Sequence, residues 1–220
     1  MSARADNYLW DALVRGDDPW TAEVNAVLYP LNYVKVRTIR CVNTVLSLYV
    51  LSKHLLRLRD VQTTYLRLRA GGVKAAVGVR FRVYGVLYAF CNVHMSAHDW
   101  NLGLRVEEYG MMLDDLEFPG EREFGKLLYH DYCFVLGDLN FRLREGGFTF
   151  EEISELVERG EVGELVEQDQ LRLAMAEGRA FQEFGEEEIR FAPTFKFKIG
   201  HQVSRRLSFA IRTLLSESPL

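Results

Sequence analysis

The chain has 220 residues, 48% hydrophobic, 26% charged and 12% aromatic, and its 27 basic against 31 acidic side chains give a formal net charge of −4. That is enough chain for one sizeable domain, and the balance excludes collagen-like, low-complexity and fully disordered classes. No apolar run is long or unbroken enough to span a bilayer, and Met1 to Asp6 lacks the basic start and apolar stretch of a signal peptide, so a cytoplasmic chain is expected.

From Tyr8 to Leu28 mixed apolar spacing, broken at Asp17-Asp18-Pro19, predicts two short helical pieces before Pro30. Tyr33 to Arg40 alternates loosely and Val42 to Leu51 is β-branched and aromatic, which predicts neighbouring strands around the Cys41 to Asn43 bend. Val77, Val79, Phe81 and Val83 share one face; Tyr84-Gly85 then turns into the apolar run Val86 to Val93, a hairpin. Leu102, Val106, Tyr109, Met112, Leu113 and Leu116 recur at steps of three and four, an amphipathic helix starting near Asp99. Tyr132 to Leu136 is wholly apolar and reads as a strand covered on both faces. Two short acidic helices follow, divided near Gly160, then a helix from Asp169 to Glu177 that stops at Gly178. The remainder reads as loop and extended chain. Cys41, Cys91 and Cys133 lack metal-ligand spacing and read as buried, reduced thiols.

The charges are segregated. Lys53, Arg57, Arg59, Arg67, Arg69, Lys74, Arg80 and Arg82 face Asp60 alone, whereas Glu145 to Glu188 holds fourteen acids against Arg159, Arg172 and Arg179. A basic block in an acidic protein suits an anionic ligand; a solvated basic loop face is the competing reading, and charge alone does not separate them.

Two strand ends carry polar residues. The run Tyr88 to Val93 ends in Asn92-Val93-His94-Met95-Ser96-Ala97-His98, and Tyr132 to Leu136 ends in Gly137-Asp138-Leu139-Asn140-Phe141-Arg142. Strand ends hold polar groups rigidly outside the core, and ligands collect there in α/β sheets. An acid and an amide two residues apart share a face, and together can orient a water and hold a phosphoryl oxygen, with His94 donating to the same group. Alone, each motif is more often structural: a satisfied histidine, or a turn with side-chain to backbone bonds.

In order, these blocks resemble the inositol polyphosphate 5-phosphatase family of the endonuclease/exonuclease/phosphatase fold. Arg59-Asp60-Val61-Gln62-Thr63-Thr64-Tyr65 is similar to the segment leading to that family's substrate loop, and Asn92 to His98 to its Asn-Cys-His-Leu-Pro-Ala-His block. His130 to Arg142 resembles its strand and loop motif, and Asp169-Gln170-Leu171 and Phe191-Ala192-Pro193-Thr194-Phe195-Lys196-Phe197 its later blocks, in wording near the proline-rich and skeletal-muscle/kidney-enriched members. The resemblance implies an α/β fold, a two-sheet sandwich of the DNase I-like type. It also implies Mg²⁺-dependent removal of the 5-phosphate of phosphoinositides, such as phosphatidylinositol 4,5-bisphosphate, or of soluble inositol polyphosphates. By position, Asp138 would orient or deprotonate water, Asn140 would contact the scissile phosphate, and His94 would hydrogen-bond its oxygens. Lys74, His98, Arg142 and Lys196 would bind substrate. A peripheral anionic membrane surface is the implied partner, and no nucleic acid is expected.

The sequence also departs from the pattern. The family's Gly-Asn-Lys-Gly-Gly loop appears as Gly72-Val73-Lys74-Ala75-Ala76, where added methyls would obstruct any positive φ or close phosphate approach. Ser96 stands for proline. The family's Gln-Glu strand, with its metal-binding glutamate, and its Pro-Ala-Trp-x-Asp-Arg-Ile and Ser-Asp-His blocks are not found. The expectation is a partial catalytic domain over residues 1–200 with a divergent tail over 201–220, incomplete at both termini. With no metal-binding glutamate, the chain is expected to be weakly active or inactive alone, or to survive as a non-catalytic phosphoinositide- or partner-binding remnant.

Overall fold

A computed structural model describes residues 19–68, 73–120, 125–144, 146–191, 195–197, 204–208 and 211–217. Helix α1 (Pro19–Leu28) opens on a proline, whose missing N–H costs nothing in a first helical turn. Strands β1 (Tyr33–Cys41) and β2 (Thr44–Leu51) pair antiparallel across the Val42-Asn43 turn, and a 3₁₀ segment, Ser52–Arg57, leads to β3 (Leu58–Arg67). The hairpin of β4 (Ala75–Val83) and β5 (Val86–His94) follows, then α2 (Leu102–Asp115) and β6 (Tyr132–Asp138). Three short helices, α3 (Phe150–Arg159), α4 (Val162–Glu167) and α5 (Gln170–Ala176), precede β7 (Phe195–Phe197), β8 (Ser204–Ser208) and β9 (Ile211–Glu217).

Five strands form one sheet in the order β3-β4-β5-β6-β9, with β5 and β6 parallel and the other neighbours antiparallel. A parallel pair needs a crossover, and α2 supplies it. Inward residues of one sheet face (Ala76, Ala89, Cys91, Val93, Cys133, Val135, Leu214) pack against Tyr109 and Met112 of α2 and Leu171 and Ala174 of α5. On the other face the β1-β2 hairpin lays Val36, Ile39, Leu46, Leu48 and Val50 over Val79, Phe81 and Phe90, closing a sandwich. The period-2 pattern of β4 and β5 allows this, since both faces carry apolar residues over most of their length.

Several expectations need correcting. β6 is buried on one face and only partly covered on the other: Cys133 and Val135 are buried, whereas Tyr132, Phe134 and Leu136 are half-buried. The hairpin packs over β3, β4 and β5, and the aromatic rings beyond it stack sideways, Phe90 on Phe134 at 4.6 Å and Tyr88 on Tyr132 at 5.4 Å. Of the basic residues, Lys53 and Arg57 lie in the 3₁₀ segment, Arg59 and Arg67 on the edge strand β3, Lys74 just before β4, and Arg80 and Arg82 on β4. Ala75 and Ala76 do not obstruct their loop: they are the first residues of β4, extended and fully buried, one methyl in each layer of the core. Ile211–Glu217, strand β9, pairs with β6 from Tyr132↔Glu217 to Asp138↔Ile211 and forms an edge of the main sheet. The three cysteines are free and buried. No described helix is long and apolar enough to cross a membrane.

Candidate active site

Strand register assembles the candidate site. Ala75 of β4, His94 of β5 and Asp138 of β6 lie side by side, since Ala75↔His94 and His94↔Asp138 are paired positions. Lys74, one residue before β4, reaches across so that Nζ lies 2.5 Å from Nε2 of His94, and Oδ2 of Asp138 is 3.7 Å from the same nitrogen. An ammonium can only donate, so Nε2 is the acceptor and the proton of the neutral ring sits on Nδ1. Nδ1 faces the side-chain amide of Asn43, with Nδ2 at 3.2 Å and Oδ1, the atom that can accept its proton, at 3.4 Å. Burial, then the charge of Lys74, lowers the pKa of His94 against the opposing pull of Asp138. Burial likewise lowers that of Lys74, offset in part by Asp138 and Glu108.

The parallel pairing that aligns His94 with Asp138 depends on Gly137. Its φ is 128°, and a Cβ there would lie 2.2 Å from the Val93 carbonyl oxygen and 2.4 Å from Oδ1 of Asn92. After Asp138 the chain turns at Asn140, φ 55°, a conformation that asparagine tolerates better than most residues. Oδ1 of Asp138 accepts from the Asn140 N–H at 3.1 Å, and Nδ2 of Asn140 donates to the Met95 carbonyl at 2.9 Å. Arg142 Nη2 donates to Asn140 Oδ1 at 2.7 Å.

A buried layer beneath these loops fixes them. Arg105 of α2 is fully buried and donates to the carbonyls of Ser96 and His98 and, at 2.6 Å, to Oε1 of Gln170. The same Oε1 accepts from the Arg142 N–H at 3.0 Å. Burial, with Arg142 adding to it, brings the Arg105 pKa down to about 10. Glu108 accepts from both the N–H and the hydroxyl of Ser96, at 2.8 and 2.5 Å. Serine in place of proline therefore does more than relax the loop: it supplies two donors to a buried carboxylate, both of which proline lacks.

His94, Asp138, Asn140, Arg142 and Lys74 are thus brought together. His98 is not; its ring is exposed, φ 80°, and stacked on Trp100 at 4.7 Å. Lys196 lies at the centre of β7, but its side chain is outside the described residues, as are Gly72, Ala192 to Thr194 and His201. Sequence reasoning missed Asn43 and Gln170 as site residues; the one signal for Gln170 was its place in the Asp-Gln-Leu block.

Mg²⁺ takes about six oxygen ligands in a near-ideal octahedron, usually from one or two carboxylates with waters and phosphate oxygens. Here Asp138 is the carboxylate, the Asn140 amide is engaged on both atoms, and the Lys74 ammonium faces the same space. Among the described residues no group of three or more His, Cys, Asp or Glu is disposed to hold a metal. These residues do not by themselves fit a hard divalent cation.

Residues 5–206 match the model of Endonuclease/Exonuclease/phosphatase family 2. The chain belongs to that family. Phosphatidylinositol 4,5-bisphosphate 5-phosphatase A of Rattus norvegicus is 34% identical over 203 residues, 91% of this chain and 20% of that protein. Inositol polyphosphate 5-phosphatase K of Mus musculus is 31% identical over 184 residues, 82% of this chain and 39% of that protein. The fold of this family member is also that of the inositol polyphosphate 5-phosphatase domain of SPsynaptojanin, solved with inositol (1,4)-bisphosphate and a calcium ion. That match has a TM-score of 0.83 at 28% identity and covers 93% of this chain and 63% of that one. The chain therefore spans well under half the length of these two curated relatives.

Proposed function

We propose that the chain recognises the 5-phosphate of a phosphoinositide, such as phosphatidylinositol 4,5-bisphosphate, or of a soluble inositol polyphosphate, and hydrolyses it slowly. The observation that carries this reading is the contact cluster Lys74-His94-Asp138 at adjoining strand ends. Lys74 meets the phosphate as a point charge and leaves His94 when it does so; once protonated on Nε2, the freed imidazole donates to a phosphoryl oxygen, as does the second N–H of the Asn140 amide. Asp138, held by the Asn140 N–H, orients the attacking water and accepts its proton. Arg142 keeps the Asn140 amide turned toward the site, and Lys196 pairs with a neighbouring ring phosphate. The working location is the cytoplasmic side of an anionic membrane, with Mg²⁺ as the cofactor expected from the resemblance. The described side chains do not hold that ion by themselves, and slow turnover is the rate this reading expects.

The poor fit for a cation favours a second reading, a phosphoinositide-binding member without turnover. Phosphate release from a short-chain phosphatidylinositol 4,5-bisphosphate, with Mg²⁺ and after chelation, separates the two. Release that disappears in Asp138→Ala supports the enzyme; binding that is lost in Lys74→Ala without any release supports the binding reading.

A further inference from the structure

At the opposite end of the sheet, where β4 turns into β5, a cleft of about 400 Å³ is lined by Leu56, Arg57, Arg59, Arg82, Tyr84 and Gly85. Arg59 and Arg82 are direct cross-strand partners, a placement at which like charges repel. Asp60 offsets one of them, at 3.5 Å from Nε of Arg82. Backbone carbonyls hold both guanidinium groups in place: Arg59 donates to Leu58 O and Arg82 to Gly85 O, each at 2.7 Å. The backbone is strained here as well. Asp60 has φ 53° in the bulge between Arg59 and Gln62, and Tyr84 has φ 51° in a hairpin turn that usually takes asparagine, aspartate or glycine. The Tyr84 hydroxyl is bonded to Nδ1 of His54 at 2.6 Å, which fixes its ring beside the arginines.

We infer that this cleft is a second anion site, for a small molecule bearing phosphomonoester groups. Guanidinium forks match phosphate oxygens two at a time, and three of them with one carboxylate leave charge for a multiply charged ligand. Leu56 and Tyr84, 81% and 63% exposed, offer apolar surface to the ligand's carbon frame. The volume is in the range of small-molecule sites, about 300–1,000 Å³. Arg82 stands seven residues along β4 from Ala75, a separation of roughly 23 Å at the rise of an extended strand, so a ligand here does not reach Lys74. The inference is independent of the reaction proposed above.

The test uses the full chain carrying Lys74→Ala and His94→Ala, which removes the two active-site groups in the contact cluster that meet the phosphate. Inositol hexakisphosphate is titrated in one arm; phosphatidylcholine vesicles with and without phosphatidylinositol 4,5-bisphosphate are sedimented with the protein in the other. Binding persists in this background, weakens with salt, and falls roughly tenfold for each of Arg57→Gln and Arg59→Gln, both exposed side chains, with unchanged circular dichroism. Binding in the first arm assigns the site to free polyphosphates, and binding in the second to lipid headgroups. No binding in either arm, binding indifferent to the arginine substitutions, or binding lost with Lys74 and His94 overturns the inference.

Discussion

His94 is held neutral by its surroundings, and this has a measurable sign. Burial and Lys74 place its pKa below the ordinary 6.5, so its ring resonances titrate in NMR at lower pH than those of a free histidine. Lys74→Met removes the adjacent positive charge while keeping the bulk, so the midpoint moves up toward 6.5; an unchanged or lower midpoint would refute the contact. A histidine depressed in the folded state binds fewer protons there than when unfolded. Its stabilisation is therefore present above pH 6.5 and is lost as pH falls from there through the folded pKa. Most of this cluster was legible in the sequence, because His94, Asp138 and Asn140 end apolar strand runs. Asn43 was not, because a lone asparagine in a turn carries no sign of a partner 51 residues away. His98 stands apart from the cluster for a related reason: a motif fixes spacing, but with φ at 80° the His98 ring lies stacked on Trp100.

Strand pairing is the next level at which the site is built. Gly137→Ala would drive a methyl into the Val93 carbonyl, and neither flexible side chains nor open space relieve it. The expected outcome is the separation of β5 from β6 at the end where His94 meets Asp138, read as loss of amide-exchange protection there together with a fall in stability. The unrecognised strand β9 is anchored by charge. Arg212, almost wholly buried, pairs with Asp169 at 3.1 Å and with Glu186, and Oδ1 of Asp169 also accepts from the Arg172 N–H at the start of α5. Arg212→Met strands a carboxylate whose pKa burial already raises, at a cost of about 3–5 kcal/mol in denaturant unfolding. Adding Asp169→Asn recovers part of that loss, a coupling that a merely local packing defect would not give. β9 escaped sequence reading because Arg212, Thr213 and Ser216 break its apolar pattern, and the buried partners of Arg212 lie far away in the chain. β3 escaped because its edge position tolerates the arginines that read as loop.

At the scale of the molecule, the described residues cover the two faces of the sheet unequally. Helices α2 and α5 bury one face completely, while on the other the hairpin stops short of β6 and leaves Tyr88, Phe90, Tyr132, Phe134 and Leu136 half-buried in a stacked row. A contiguous apolar strip next to paired strands favours association between molecules, more so when salt screens the net charge of −4. Phe134→Thr separates packing from exposure. Losing the stack on Phe90 costs about 0.5–1.5 kcal/mol, so the melting temperature drops. Threonine keeps the β preference of the site but removes apolar surface from the strip, so light scattering at a fixed temperature below the melt rises more slowly than in the unaltered chain, and binding of a hydrophobic dye decreases. A variant that is less stable yet aggregates more slowly is the outcome that only a half-open face explains. Faster aggregation in step with lower stability would instead mean that unfolding governs association and that the strip is adequately covered.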